Sequence, residues 1–129
     1  MRDDRHELTD LVTRLGLWLD EHRFDEARTV FTEDAEARTP GGTARGLDAL
    51  VRQASRNHGV PTQHFITNPL IEIDGEEATI RANLLVVFAG EGERRVLGER
   101  YDLRARRTAA GWRLSRVGVR PIWDGLQAA

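Results

Sequence analysis

Four histidines, one tyrosine, three tryptophans and a set of carboxylates are the groups in this 129-residue chain that could carry out chemistry. Cysteine is absent, which removes thiolate nucleophiles, disulfides and Cys-based zinc or iron–sulfur sites. Every basic residue is Arg, so lysine Schiff-base chemistry is excluded as well. Ser55 and Ser115 are the only serines, and neither sits in a Gly-x-Ser-x-Gly elbow. No glycine-rich phosphate loop, paired-His zinc motif or dinucleotide fingerprint occurs, so no metal and no cofactor is expected. What remains is proton transfer between a histidine and a carboxylate.

His64 is the leading candidate, opening a strand after Pro61-Thr62-Gln63 and followed by the apolar Phe65 and Ile66. Asp20 is the second, near the end of a helix beside Leu17, Trp18 and Leu19. Each has an ordinary explanation taken singly. A strand-start His can be satisfied by a backbone carbonyl, and a helix-end Asp can be solvated. Tyr101 and Glu99 alternate with Leu97, Leu103 and Ala105, which points both inward if those apolar residues face the core. An inward Glu99 would need a partner or a raised pKa. His22 suits the C-terminus of a helix, where its charge meets the dipole. His6 and His58 read as surface positions with no assigned role.

The elements that must position these groups follow from periodicity. Leu8, Leu11, Val12, Leu15, Trp18, Leu19 and His22 recur at spacings of three and four, predicting one helix from about Asp3–Arg5 to Glu21–His22. A second short helix is expected from Phe24 to Phe31, with Asp25 as a cap or turn residue. Thr32-Glu33-Asp34 breaks it before a strand from Ala35 to Thr39, a turn at Pro40-Gly41-Gly42 and a short edge strand at 43–45. A third helix spans Leu47 to Asn57 and stops at Asn57-His58-Gly59-Val60-Pro61. Beyond it the period changes to two, with strands at His64–Ile73, Ala78–Phe88, Arg94–Arg107 and Gly111–Trp123. Short links between them predict an antiparallel meander. The fold class is α+β, a single domain of three N-terminal helices packed in a strongly curved antiparallel sheet. Ala78, Ile80, Ala82, Leu84, Val86 and Phe88 give one strand a wholly apolar face, while Leu85 and Val87 make its back apolar at one end. That second apolar patch suggests a further packing surface such as a homodimer interface. Between helices and a curved sheet, a hollow for a small molecule is expected.

The 19 basic and 21 acidic residues leave a net charge of −2, without the basic excess of a nucleic-acid binder. Arg100, Arg104 and Arg106, with Asp102 among them, read as one solvated outer face. No run approaches the roughly 18–20 apolar residues of a membrane helix. The opening residues carry no secretory pattern, so a cytoplasmic protein is expected.

Three stretches resemble the nuclear transport factor 2-like superfamily in its SnoaL-like branch. They are Leu19-Asp20-Glu21-His22-Arg23-Phe24-Asp25 running into Val30-Phe31-Thr32-Glu33-Asp34-Ala35; Thr62-Gln63-His64-Phe65-Ile66-Thr67-Asn68 with Ile71 to Ala78; and Gly98-Glu99-Arg100-Tyr101 leading to Gly111-Trp112-Arg113-Leu114 and Trp123. The resemblance implies a cone of curved sheet around helices and a habit of dimerising. Scytalone dehydratase is the nearest functional parallel, matching at Asp20 and His64. It departs at Phe88, where that enzyme has a second catalytic His, and at Leu19 and Thr39, where it has tyrosines. By analogy with ketosteroid isomerases and polyketide cyclases, His64 would move a proton while Asp20 fixes its tautomer. Tyr101, Asn83 or Arg116 would then bind an oxyanion, with Trp18, Glu99 and Trp123 as further binding residues. Two readings stay open: a cofactor-independent lyase, isomerase or cyclase acting on a small carbonyl compound, or a non-catalytic ligand-binding or dimerisation module.

Overall fold

The computed structural model describes residues 3–128. Its elements in chain order are helix α1 (Asp4–Asp20), a 3₁₀ helix (Phe24–Thr29), strands β1 (Phe31–Thr39) and β2 (Gly42–Arg45), helix α2 (Leu47–Asn57), and strands β3 (Thr62–Asp74), β4 (Glu77–Phe88), β5 (Glu93–Thr108) and β6 (Gly111–Ala128). The six strands form one curved sheet in the order β2-β1-β6-β5-β4-β3. Strands β3 to β6 make the expected antiparallel meander, but β1 joins β6 in parallel, so the sheet is mixed.

Two local expectations are corrected by that parallel pairing. Thr32-Glu33-Asp34 does not break the chain, because β1 already begins at Phe31, opposite Leu114. A register shift between Phe31 and Glu36 absorbs the irregularity. The second helix is accordingly shorter than expected and of the 3₁₀ type, and Arg23, not Asp25, occupies its N-cap without a side-chain bond.

Helix α1 runs antiparallel to β3 and is tied to the sheet at both ends. At its start, Asp3 caps the helix by accepting from the N–H groups of Arg5 and His6 at 3.0 and 3.3 Å. Asp4 takes two bonds from Arg107 at 2.9 and 2.8 Å and one from the Trp112 indole at 3.2 Å. Glu7 accepts from the Trp112 backbone at 2.9 Å, and Arg5 donates to the Ile71 carbonyl on β3 at 2.8 Å. Between the ends, Leu8, Leu11, Val12, Leu15, Trp18 and Leu19 are buried against the sheet. Each such side chain contributes about 1.5–3 kcal/mol through removal of apolar surface from water. Trp18 sits edge-on to Phe24 and Phe31, with centroids 5.2 and 4.9 Å away.

The C-terminus of α1 is closed by a left-handed His22 (φ 52). Arg23 N–H reaches back to the Trp18 carbonyl at 2.9 Å and His22 N–H to that of Leu19 at 3.3 Å. That pairing is a Schellman motif, which fixes Asp20 as the last helical residue. His22 therefore serves backbone geometry and stacks on Phe24 at 5.4 Å. One turn before Asp20, Gly16 lies against β3, where a Cβ would stand 3.4 Å from Ile66 Cδ1 and 4.0 Å from His64 Cβ.

Alternation on β4 and β5 follows the sequence. Ala78, Ile80, Ala82, Leu84 and Val86 are buried, as are Glu99, Tyr101, Leu103 and Ala105, while the residues between them face outward.

The Gly16 contact leaves room for a methyl group and nothing larger. Gly16→Ala should therefore be neutral or stabilising by up to about 1 kcal/mol through helix propensity. Gly16→Leu should destabilise by about 1–3 kcal/mol through overpacking. Urea denaturation of the two variants checks this, and equal stability would contradict the close approach.

Candidate active site

Asp20 meets β3 at the end of α1. Its carboxylate accepts three hydrogen bonds: from the Thr62 hydroxyl at 2.9 Å, the His64 backbone N–H at 2.8 Å and His64 Nδ1 at 2.5 Å. Thr62 and His64 are two apart on one strand, so both present to the same side. The backbone bond fixes where β3 begins relative to the helix, and the side-chain bonds fix both partners within it.

A carboxylate only accepts, so the contact at Nδ1 places the proton there and leaves Nε2 as an acceptor. The His64 side chain is 4% exposed and that of Asp20 is 21% exposed. Burial pushes the His64 imidazole below its ordinary range, and the bond to Asp20 and its charge oppose this without cancelling it. His64 is thus held neutral, in one tautomer and one orientation.

His64 lines a cavity of about 480 Å³ between the helices and the concave face of the sheet. Its walls are mainly apolar, among them Trp18, Leu19, Phe31, Leu84, Val86, Phe88 and Leu97. Glu99 and Tyr101 enter from β5 and are 8% and 2% exposed. Burial raises the Glu99 carboxyl above the usual carboxylate range, with Arg95 opposing and Asp124 adding to the effect. The Tyr101 hydroxyl is also shifted upward, chiefly by burial and further by the charges of Glu99 and Asp20. The Tyr101 hydroxyl therefore stays a donor at neutral pH, while burial disfavours the charged form of Glu99.

Of the residues expected to form the site, His64, Asp20, Trp18, Glu99 and Tyr101 come together here. Asn83, Arg116 and Trp123 do not. Asn83 points to the outer face and accepts from Arg100 Nε at 3.3 Å. Arg116 also lies away from the cavity, on β6 opposite Glu36 and Arg104. A register shift between Gly98 and Glu99 turns Trp123 outward, where it is 51% exposed and lies over Gly98.

Two residues of the site, Thr62 through its bond to Asp20 and His58 in the cavity wall, were not singled out from sequence. Thr62 could have been found from its two-residue spacing to His64. His58, expected on the surface, is half-buried in the cavity wall, with its ring 5.3 Å from that of His64. Burial also pushes the His58 imidazole below its ordinary range. Among the described residues no group of three or more His, Cys, Asp or Glu side chains is placed to hold a metal. No described helix is long and apolar enough to cross a membrane.

Comparison with known proteins agrees with this architecture. The SnoaL-like domain family matches residues 1–118, and the chain belongs to that family, within the nuclear transport factor 2-like superfamily. The uncharacterized protein Rv2910c of Mycobacterium tuberculosis is 32% identical over 120 residues, 88% of this chain and 82% of that one. A scytalone dehydratase candidate from Novosphingobium aromaticivorans superposes with a TM-score of 0.82 at 21% identity, covering 97% of this chain and 90% of the other. The hexachlorocyclohexane dehydrochlorinase LinA-type3 of Novosphingobium barchaimii gives 0.85 at 17% identity, covering 97% and 90%. At these identities the likeness to the two solved structures is one of fold.

Two buried neutral histidines make stability depend on pH. In the unfolded chain each has the ordinary pKa of 6.5, whereas the folded values are lower. On acidification through that region the unfolded state binds more protons, so stability is full above it and falls as the pH drops toward the folded values. Urea midpoints should thus decrease between about pH 7.5 and about pH 5.5, and decrease less in His58→Phe. An unchanged midpoint would show that the two imidazoles are not held neutral.

Proposed function

We propose that the protein is a cofactor-independent acid–base enzyme, a lyase, isomerase or cyclase acting on a small, largely apolar carbonyl compound. The observation that carries this reading is the 2.5 Å contact of His64 Nδ1 with Asp20, beside an apolar cavity. Nε2 is the base. It removes a proton from carbon next to a carbonyl, Asp20 stabilises the imidazolium, and the electron pair of the broken C–H bond moves onto the carbonyl oxygen. The Tyr101 hydroxyl is suited to donate to that oxygen, with Glu99 beside it able to donate in its protonated form. The pair then returns to carbon with a proton from His64, or expels a leaving group from the adjacent carbon. The names of the two solved neighbours describe eliminations, one of water and one of hydrogen chloride.

His64→Gln should abolish turnover with the fold intact, and Asp20→Asn should lower kcat by orders of magnitude through loss of tautomer and charge. Screening carbonyl and hydroxy-aromatic compounds by thermal shift supplies the substrate. Because the active form of His64 is neutral, kcat/KM should hold to below the ordinary histidine range and fall as the pH drops through the lowered pKa. Full activity in His64→Gln would rule out His64 as the base.

The chain also reads as a homodimer. Phe65, Leu85 and Trp123 are 46%, 38% and 51% exposed, and their strands place them in one row across the outer face, with Gly98 beneath the Trp123 ring. Such a row is an apolar surface fit for a second copy. Sedimentation at micromolar concentration should show a dimer that Leu85→Glu converts to monomer. A wild-type monomer would contradict the pairing.

A further inference from the structure

His58 takes no part in the dyad, yet its hydrogen bonding is fully determined. It follows the last residue of α2 and turns two donors onto one acceptor. Its backbone N–H reaches the Ala54 carbonyl at 3.0 Å and its Nδ1 reaches the same oxygen at 2.8 Å. A carbonyl cannot donate, so Nδ1 carries the proton and Nε2 is a bare acceptor. Among the described residues no protein donor reaches that nitrogen. The ring packs tilted against His64 at 5.3 Å and stacks on Phe88 at 6.1 Å, both of which line the cavity with it. Its ring orientation is set by these contacts and the Nδ1 bond, and its tautomer by Ala54.

Two neighbouring imidazoles that line the cavity thus each keep Nε2 as an acceptor. Burial keeps His58 neutral, the charges of His64 and His22 would add to that effect, and only Asp20 and the Ala54 bond oppose it. A ligand that places carbon, an ether oxygen or a carbonyl oxygen against Nε2 strands a lone pair in an apolar enclosure. A hydroxyl satisfies it. The site is in this respect selective for what the ligand donates, whereas the Tyr101 hydroxyl on β5 favours what it accepts.

We propose that His58 is a substrate-recognition residue, accepting a hydrogen bond at Nε2 from a hydroxyl group of a ring-sized, largely apolar ligand, beside the position that His64 attacks. The role of the contact in turnover rests on the reading of His64 as a base, while the contact itself does not.

Calorimetric titration with the bicyclic phenol indanol and with its methyl ether tests this on the intact chain. The wild type should bind the phenol about tenfold more tightly than the ether. His58→Phe keeps a stacking ring and removes the acceptor, so it should weaken the phenol about tenfold and leave the ether unchanged. His58→Gln, whose amide oxygen can accept, should retain part of the preference and guards against loss of fold in the first variant. Equal wild-type affinities, no binding of the phenol, or a preference that survives in His58→Phe would each overturn the proposal. Binding of these probes does not depend on proton transfer at His64. A preference lost in His58→Phe together with full turnover in His64→Gln would retain the His58 contact and retire the acid–base reading.

Discussion

The carboxylate of Asp20 is the joint on which the molecule turns. Its three bonds, to one hydroxyl, one backbone N–H and one imidazole, fasten the end of α1 to the start of β3. The helix is anchored at its other end by Asp4 and Glu7 to β5 and β6. With both ends fixed, α1 spans the sheet and roofs the cavity. The same carboxylate that closes the fold also sets the tautomer of His64, so structural and chemical constraints coincide in one side chain. A half-buried carboxylate is tolerable here because three donors meet it.

The cavity follows from how the sheet is built. A sheet lined inside by alternating apolar residues would ordinarily be filled by its covering helices. Here α1 lies along β3 and α2 near β1 and β2, so the concave face between them stays open. The polar groups that enter it come from distinct elements: His64 from β3, His58 from the end of α2, and Glu99 and Tyr101 from β5. Two imidazoles that accept and a tyrosine hydroxyl that donates face one apolar space, beside a carboxyl whose charged form burial disfavours. That division gives a neutral, ring-sized ligand a defined orientation without any formal charge on it.

Much of this was legible in the sequence. The three-and-four spacing from Leu8 to Leu19 marked α1, and strict alternation on 78–88 and 97–105 marked the inner faces of β4 and β5, including the inward turn of Glu99 and Tyr101. The family resemblance paired Asp20 with His64, a contact across 44 residues that no local pattern encodes. What escaped was set by tertiary contacts. The start of β1 at Phe31 depends on parallel pairing with β6, which a meander pattern does not announce. Trp123 and Arg116 were misplaced because register shifts on β6 reverse the alternation that local counting assumes. Asn83 fell on the outer face by the same two-residue period that turned its neighbours in. His58 looked like part of a helix stop signal, and only stacking against His64 and Phe88 reveals its inward position.

The central claim is that burial keeps His64 neutral while Asp20 fixes its proton on Nδ1 and leaves Nε2 as the acceptor toward the cavity. Nitrogen-15 NMR of the imidazole side chains measures this directly at neutral pH. The expected spectrum shows a protonated Nδ1 slow to exchange with water and an unprotonated Nε2, with the pattern lost in Asp20→Asn. A proton on Nε2, or the averaged signals of a freely exchanging ring, would contradict it.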